Sequence, residues 1–276
     1  MTPAAWKKGI TIGILLVFVL VLGFFAYLAC QLEQGVRSSE RHDFHYSIDI
    51  SYSTTIENVT ILIPIPELNG TPIIGDMVVR GDAHGVPDGW NLSIEEMNGT
   101  PMLAIRADGM VPEYHGYPIP IEPGQSPLPA TIAPRTEYSL ETPVLRPIQI
   151  GMMLHVNRTI ETRDPVGREP VFAPDGEFVI MVESARPHIQ GMEFVHPVPV
   201  YVWFEREQPG EFSLQASIRG INSIWRGGWI FNSFQDSVSV ELKEPPGWTE
   251  AAGILRTGEG VYYTQRSDHG EPDGSI

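Results

Sequence analysis

The sequence predicts a mainly β protein, an antiparallel β-sandwich ectodomain carried on a single N-terminal transmembrane helix. Three observations lead to this fold class: one long apolar run near the start, alternation of apolar and polar residues in much of the remaining chain, and turn residues between the alternating runs. The chain also contains 27 Gly and 25 Pro, which suit frequent turns. Short strands joined by hairpins favour an antiparallel sandwich.

The apolar run covers residues 10–30 and contains no charged side chain. At about 1.5 Å per residue, a helix of this length crosses a hydrocarbon core of roughly 30 Å, so the run predicts a transmembrane helix. Lys7 and Lys8 precede the run without any acid, whereas the charges just after it nearly cancel. Lys and Arg bias the end of a transmembrane helix that carries them toward the cytoplasm. Residues 1–9 are therefore predicted to be cytoplasmic and residues 31–276 extracytoplasmic.

Three interpretations of this N-terminal segment stay open. A retained signal anchor is the main one, because a cleavable signal has an apolar region of only about 7–15 residues. The single cysteine, Cys30, ends the run in Tyr-Leu-Ala-Cys, which resembles a degraded lipobox whose cysteine would be lipidated after cleavage. Finally, Lys-Lys-Gly-Ile-Thr over residues 7–11 resembles the processing site of archaeal type IV pilins.

Asparagines are concentrated in N-glycosylation motifs. Five of the seven asparagines stand in Asn-X-Ser/Thr, where ordinary composition predicts about one match. All five follow the apolar run: Asn58, Asn69, Asn91, Asn98 and Asn157. This excess predicts glycosylation of at least one of them and supports an extracytoplasmic location. Asn69 and Asn98 each precede Gly-Thr-Pro, which lowers their expected occupancy.

Charge and cysteine content restrict the partners and the compartment. Beyond Cys30 the chain holds 16 Lys and Arg against 34 Asp and Glu, a net charge near −18. Such a domain stays soluble, and its charge argues against nucleic acid or an anionic lipid surface as partner. One cysteine cannot form a disulfide within the chain, so an external domain of about 230 residues has to be stabilised by its core. The disulfide-dense ectodomains of animal cell surfaces are therefore a poor match.

Alternation with a period of two predicts half-buried strands across an extracytoplasmic domain of residues 43–266. The clearest runs are 44–52, 59–65, 148–156, 178–182, 198–204, 212–218 and 238–242. Hairpin turns are predicted at Asn69-Gly70, at Asn98-Gly99 and at Gln208-Pro209-Gly210, which divides strands 198–206 and 211–218. The first of these turns divides strands predicted over 59–68 and 71–79.

The remaining segments predict less regular structure. Residues 31–42 are polar and are predicted as a stalk, and no convincing helical stripe follows residue 36. Pro64 and Pro66 cannot donate to a strand ladder, so their strand lies at an edge or leaves its sheet there.

Two later segments are harder to assign. Residues 112–147 hold nine prolines, which predicts a long excursion over one sandwich or a linker between two, and we prefer the excursion. Residues 246–265 could form a last hairpin, and residues 267–276 are predicted to be disordered.

No motif for catalysis or cofactor binding is present: the chain lacks Gly-X-Ser-X-Gly, His-Glu-X-X-His and a phosphate-binding glycine loop. Four carboxylates lie in the Pro- and Gly-rich segment 163–177: Asp164, Glu169, Asp175 and Glu177. Hard oxygen ligands in a loop could bind Ca²⁺, but the EF-hand spacing is absent, and solvated loop charges are the preferred interpretation. His42 and His45 flank Asp43 without enough neighbours to predict a metal site.

The segment Trp225-Arg226-Gly227-Gly228-Trp229 is the one candidate ligand surface in the sequence. Flat aromatic rings beside an arginine could stack on a sugar or anchor a partner. Such rings also commonly cover the end of a sandwich core. Because apolar residues flank the segment, we expect one ring in the core and the other exposed.

Two segments, residues 56–66 (IENVTILIPIP) and 164–170 (DPVGREP), resemble uncharacterised membrane-anchored extracytoplasmic proteins of methanogenic archaea. The resemblance implies an archaeal cell-envelope location and carries no assigned activity. The leading hypothesis is a glycosylated envelope protein that has a non-enzymatic binding or structural role toward the surface layer, a sugar or another membrane protein. The alternatives are a pilin-like filament subunit and an extracytoplasmic hydrolase, which would need paired carboxylates in a deep pocket.

Overall fold

The structure is a computed structural model that describes residues 3–68, 71–117, 133–183, 191–245 and 247–262. One long N-terminal helix is followed by strands and one short helix, so the predicted mainly β fold on a single N-terminal helix is confirmed. The elements are α1 (Pro3–Ser38), β1 (Arg41–Tyr52), β2 (Ile56–Pro64), β3 (Glu67–Leu68), β4 (Thr71–Pro72), α2 (Gly75–Arg80), β5 (Asn91–Met97), β6 (Thr100–Met110), β7 (Tyr114–His115), β8 (Val144–Leu145), β9 (Ile148–His155), β10 (Val179–Glu183), β11 (Met192–Glu205), β12 (Phe212–Trp225), β13 (Trp229–Leu242) and β14 (Gly247–Gly260).

Both layers of the fold belong to one curled antiparallel sheet. Its strands follow the order β5-β6-β2-β11-β14-β13-β12-β1-β9, and β10 pairs with β11 beside this path. Strands far apart in this order approach each other because the sheet curls. The Tyr52 hydroxyl at the end of β1 donates to the Val111 carbonyl just after β6, at 3.2 Å. His84, which follows α2, forms a bridge with Gly151 of β9.

The sheet is continuous at the end next to α1 and divides toward the other end. β14 pairs with β11 over most of its length, but its pairing with β13 ends at Gly253, opposite Val238. Beyond Val238, β13 continues beside β12 down to Leu242. The two layers therefore separate at this end, and the apolar core fills the space between their inner faces.

The core is built from the apolar positions of the alternating strands, as the sequence predicts. On β12 the even-numbered residues from Phe212 to Asn222 are buried, and the odd-numbered residues face outward. The largest buried rings come from different parts of the chain: Phe44, Phe172, Phe204 and Phe234. Gly220 allows Phe234 to pack against the β12 backbone, because a Cβ at residue 220 would lie 2.4 Å from the Phe234 ring.

The predicted turns have different outcomes. Asn98-Gly99 forms the expected hairpin between β5 and β6, with φ values of 54° and 84°. Asn69-Gly70 lies outside the described residues. The strand predicted over 71–79 is wrong beyond Pro72, because residues 75–80 form α2. Ile74, Met77 and Val78 are buried at helical spacing, and Gly81, with φ 75°, ends the helix.

The hairpin predicted around Gln208-Pro209-Gly210 is also wrong. β11 pairs with β14 and β2, whereas β12 pairs with β13 and β1. The connection therefore crosses from one layer to the other. Phe204 and Phe212 meet inside the core with ring centroids 5.3 Å apart, and the Arg206 guanidinium donates to the Gly210 carbonyl at 2.8 Å.

Other boundaries differ from the expectation. α1 continues to Ser38 and β1 begins at Arg41, so most of the predicted stalk 31–42 is helical. Residues 247–260 form one strand in place of a last hairpin, and the predicted disordered tail 267–276 lies outside the described residues. β2 pairs with β6 as far as Pro64 but with β11 only as far as Leu62, so the strand leaves β11 at its prolines.

The described parts of the proline-rich segment 112–147 pack on the end of the sheet farthest from α1. Tyr114 pairs through its backbone with Arg135, and its hydroxyl donates to the Ser53 carbonyl at 3.0 Å. The Tyr138 ring packs edge-on against Tyr114 with centroids 6.2 Å apart. Residues 118–132 of this segment lie outside the described residues.

Candidate functional site

The hairpin that joins β12 and β13 lies beside the C-terminal end of α1. Trp225 pairs with Trp229 across the hairpin, and the Arg226 amide donates to the Gly228 carbonyl at 3.0 Å. Gly227 has φ 76°, a left-handed conformation that favours glycine in such a turn. The Trp225 amide donates to the hydroxyl of Ser39 at 2.9 Å, and Ser39 directly follows α1. This bond ties the hairpin to the end of the helix.

The exposed rings of this hairpin form one surface, the aromatic tip, made of Trp225, Trp229 and Phe231. The two indoles contact each other edge to face with centroids 5.7 Å apart. Trp225 is 46% exposed, Trp229 55% and Phe231 48%. The expectation that one tryptophan lies in the core is therefore wrong. Both rings continue the outward-facing register of β12 and β13, in which odd-numbered residues face away from the core.

A cleft of about 790 Å³ separates α1 from the inner side of the hairpin. From the helix and the start of β1 it is lined by Glu33, Val36, Arg37, Glu40 and His42. Both acids have basic partners: Arg37 donates to Glu33 at 3.2 Å, and Glu40 lies 3.6 Å from the imidazole of His42. Both carboxylates of this cleft therefore lie next to basic side chains.

A buried amide network supports the floor of this cleft. Asn222 donates to the Ile160 carbonyl and to the Asn232 side chain, each at 2.8 Å. Its side-chain oxygen accepts from the Ile160 amide at 2.9 Å and from His42 Nδ1 at 2.7 Å. Asn222 and Asn232 are the two asparagines outside the glycosylation motifs, and they hold the hairpin base against the segment that follows β9.

The described asparagines of the glycosylation motifs lie at the surface, unlike the buried amide network around Asn222. Within the described part of the chain, four of the five motif asparagines are exposed: Asn58, Asn91, Asn98 and Asn157. Asn69 lies outside that part. Asn58 has φ 50° and donates its amide to the Glu205 carboxylate at 2.9 Å. All four are sterically accessible, which is what attachment of a glycan requires.

The carboxylates of segment 163–177 do not converge on a cation site. Glu169 is 1% exposed and accepts two bonds from the Arg158 guanidinium, both at 2.6 Å. Its carboxylate also accepts the Glu161 amide at 2.6 Å. Asp164 lies 3.5 Å from Arg168 at the surface. Among the described residues, no group of three or more His, Cys, Asp or Glu side chains is arranged to hold a metal ion.

A buried ionisable pair, His196 and Asp236, was not identified from the sequence. His196 Nε2 donates to the Asp236 carboxylate at 2.9 Å, and both side chains are fully buried. The Phe172 amide donates to the other carboxylate oxygen at 2.8 Å, and the Phe178 ring stacks on the imidazole at 4.4 Å. Burial raises the pKa of Asp236 above its ordinary value. Because neither side chain reaches the surface, the pair links β11 to β13 and has no access to a substrate.

A second aromatic surface, also not identified from the sequence, lies on the outer face of β11 and β14. Tyr201 and Trp248 face each other across the strands with ring centroids 5.3 Å apart. Trp203, two residues along β11 from Tyr201, lies on the same face and is 44% exposed. This outer surface presents flat aromatic rings to solvent.

One helix of the described chain is long and apolar enough to cross a membrane. The candidate span is Leu16–Ser38, with 23 residues, a mean hydropathy of 2.1 and no burial against the rest of the chain. A signal sequence near an N-terminus has the same properties, so the finding is that this helix could span a membrane. Cys30, the candidate lipidation site, is a free and exposed cysteine on this helix.

Comparison with protein-family models finds no match, and comparisons with curated proteins and with solved structures find none either.

Proposed function

We propose that this chain is a membrane-anchored, N-glycosylated cell-envelope protein whose ectodomain has a non-enzymatic binding or structural role outside the cell. The observation that carries the proposal is the exposed apolar surface of α1. Large side chains such as Leu20, Phe24 and Phe25 are 69%, 59% and 62% exposed. An apolar surface of this extent is unfavourable in water and favourable in a bilayer. Insertion of α1 as a single-pass anchor provides the missing apolar environment.

Two features support an extracytoplasmic ectodomain. Lys7 and Lys8 place positive charge at the end of α1 away from the β-sheet, and such charge favours the cytoplasmic side. The accessible motif asparagines all belong to the domain on the opposite side, where glycosylation takes place. The resemblance to envelope proteins of methanogenic archaea agrees with this placement.

The pairing of the acids supports a binding or structural role in preference to hydrolysis. The acids of the cleft beside α1 have Arg37 and His42 as partners, and Glu169 is held by Arg158. The surface instead presents flat aromatic groups at the hairpin and on the outer face of β11 and β14. Such groups suit a sugar, a surface-layer protein or a neighbouring membrane protein as partner.

A pilin-like filament subunit is a second candidate. In its favour, α1 is one uninterrupted helix that continues past Cys30 and enters the sheet domain directly. A long N-terminal helix of this kind could pack with copies of itself in a filament core. In that case the Lys-Lys-Gly segment would be the cleavage site, and the mature chain would begin at Ile10.

Mass spectrometry of the mature protein from its own membranes tests these alternatives. We expect an uncleaved N-terminal segment and a glycan on at least one of Asn58, Asn91, Asn98 and Asn157, because these side chains are accessible on the extracytoplasmic domain. Replacing an occupied asparagine with glutamine should remove the mass of its glycan. Cleavage after Gly9 would instead indicate a pilin, and a lipid on a new N-terminal Cys30 would indicate a lipoprotein. Unmodified asparagines at all five motifs would refute glycosylation.

A further inference from the structure

We infer that the aromatic tip contacts the headgroup layer of the same bilayer that α1 crosses, and that this contact fixes the orientation of the ectodomain on the membrane. The inference rests on the proposed function, because it requires α1 to be the anchor. It names the partner of the tryptophan hairpin: lipid at the bilayer interface. The contact would be a second attachment point, formed by a hairpin far along the chain from the helix.

The direction of the strands brings the tip to the membrane side of the ectodomain. β1 begins at Arg41, three residues after α1 ends, and Arg41 pairs with Ser223 near the end of β12. The opposite end of β12, Phe212, pairs with Tyr52 at the far end of β1. β12 therefore runs toward the end of α1, and the hairpin after it lies on the side of the sheet next to the membrane-spanning segment.

The height of the tip along α1 matches the headgroup layer. The Trp225 amide is bonded to Ser39, the residue after the candidate span Leu16–Ser38. Arg226 and Glu33 line the same cleft, so the turn of the hairpin lies beside the last turns of the helix. Along the helix, Glu33 is about 5 Å and Ser39 about 14 Å from Cys30, the end of the charge-free run, so the hairpin lies between these heights. The polar layer on one side of a bilayer is about 5–8 Å thick, so the end of the hairpin nearer to Glu33 reaches this layer.

The chemistry of the tip suits this layer better than either water or the hydrocarbon core. Indole rings combine a flat apolar body with one N–H donor, and tryptophan is enriched at membrane interfaces. The rest of the ectodomain is strongly acidic and would be repelled by anionic lipid. Contact with the bilayer is therefore expected to be confined to the tip.

Depth-dependent fluorescence quenching in the full-length chain tests this contact. Trp6 lies on the other side of the apolar run, so all variants carry Trp6→Phe to remove its signal. The protein is inserted into phosphatidylcholine nanodiscs whose acyl chains are brominated either near the glycerol or near the terminal methyl. We expect tryptophan quenching by the shallow bromine and much less by the deep one. The pair Trp225→Phe and Trp229→Phe should remove most of that quenching.

The matched control is the pair Trp203→Phe and Trp248→Phe, which alters the second aromatic surface and should leave the shallow quenching in place. Melting temperatures of both double variants should stay close to the parent value, because all four rings are about half exposed. The chain could enter the nanodiscs without shallow quenching, or with shallow quenching that the changes at residues 225 and 229 leave unaffected. Either result would refute the contact between the aromatic tip and the headgroups, while insertion of α1 as the anchor would still hold. Loss of quenching in the control pair alone would likewise overturn the inference. Failure to enter bilayers at all would refute the anchor as well.

Discussion

Replacing Asp236 with alanine is expected to lower the free energy of unfolding by about 2–6 kcal/mol, because two buried hydrogen-bond donors lose their acceptor at about 1–3 kcal/mol each. The carboxylate accepts from His196 and from the Phe172 amide inside the core. Alanine leaves both donors buried without an acceptor, and each unsatisfied donor adds a cost. The change also removes the polar link between β11 and β13. Guanidinium unfolding of the detergent-solubilised protein, followed by near-UV circular dichroism, measures the effect.

The control for this substitution is Glu193→Ala. Glu193 also lies on β11 and pairs with Arg256 at 3.0 Å, but this pair is at the surface. Its loss should cost about 1 kcal/mol or less, as for other exposed pairs. Equal and small effects of the two substitutions would show that the His196–Asp236 pair does not stabilise the core.

Replacing Arg158 with alanine is expected to cost about 3 kcal/mol, near the lower end of the range for buried ion pairs because the arginine itself is partly exposed. Glu169 is buried and depends on Arg158 for two of its hydrogen bonds, so the substitution leaves a buried carboxylate with one backbone donor. The segment after β9 should then detach from the sheet more readily. Thermal unfolding and proteolysis of residues 157–170 check this result.

Arg168→Ala is the matched control, because Arg168 lies in the same segment and pairs with Asp164 only at the surface. It should change the free energy of unfolding by less than about 0.5 kcal/mol. Similar losses of unfolding free energy in the Arg158→Ala and Arg168→Ala variants would mean that removing either positive charge destabilises the segment equally. The buried Arg158–Glu169 pair would then not stabilise it more than the surface pair does.

Burial could be predicted from the sequence more reliably than strand pairing. Phe204 and Phe212 both occupy inward positions of alternating runs, and both are buried. The alternation is the same whether the intervening turn closes a hairpin or crosses between layers, so the pairing of β11 and β12 could not be decided from it. Only the neighbours that each strand obtains from distant parts of the chain exclude the hairpin.

Turn-forming residues predicted a hairpin correctly only where the two flanking strands pair with each other. Asn98-Gly99 forms its hairpin because both flanking strands are long enough to pair. Gly258 and Gly260 also have positive φ values, 69° and 98°, yet no hairpin forms there. β14 instead passes the end of its pairing with β11 at Thr257 and stays paired with β13 as far as Gly260, across a register shift, so these glycines accommodate irregular pairing within one strand.

The candidate site was partly visible in the sequence. The Trp225–Trp229 hairpin stands out by composition, but its rings could be assigned to the outer face only once the register of β12 and β13 was known. His196 and Asp236 left a usable signal, because each is a polar residue at an inward position of an alternating run. Arg158 could not be matched to Glu169 from the sequence, since loop residues have no periodicity that indicates their contacts.

Trypsin added to intact spheroplasts tests whether α1 anchors the ectodomain on the outer side of the membrane. We expect the ectodomain to be digested, because exposed basic residues such as Arg168 and Arg256 lie outside, while Lys7 and Lys8 stay protected until the membrane is permeabilised. An antibody to the β-sheet domain and a cytoplasmic marker protein together report digestion and membrane integrity. Survival of the whole ectodomain on intact spheroplasts, followed by its digestion after permeabilisation, would show that the ectodomain faces the cytoplasm.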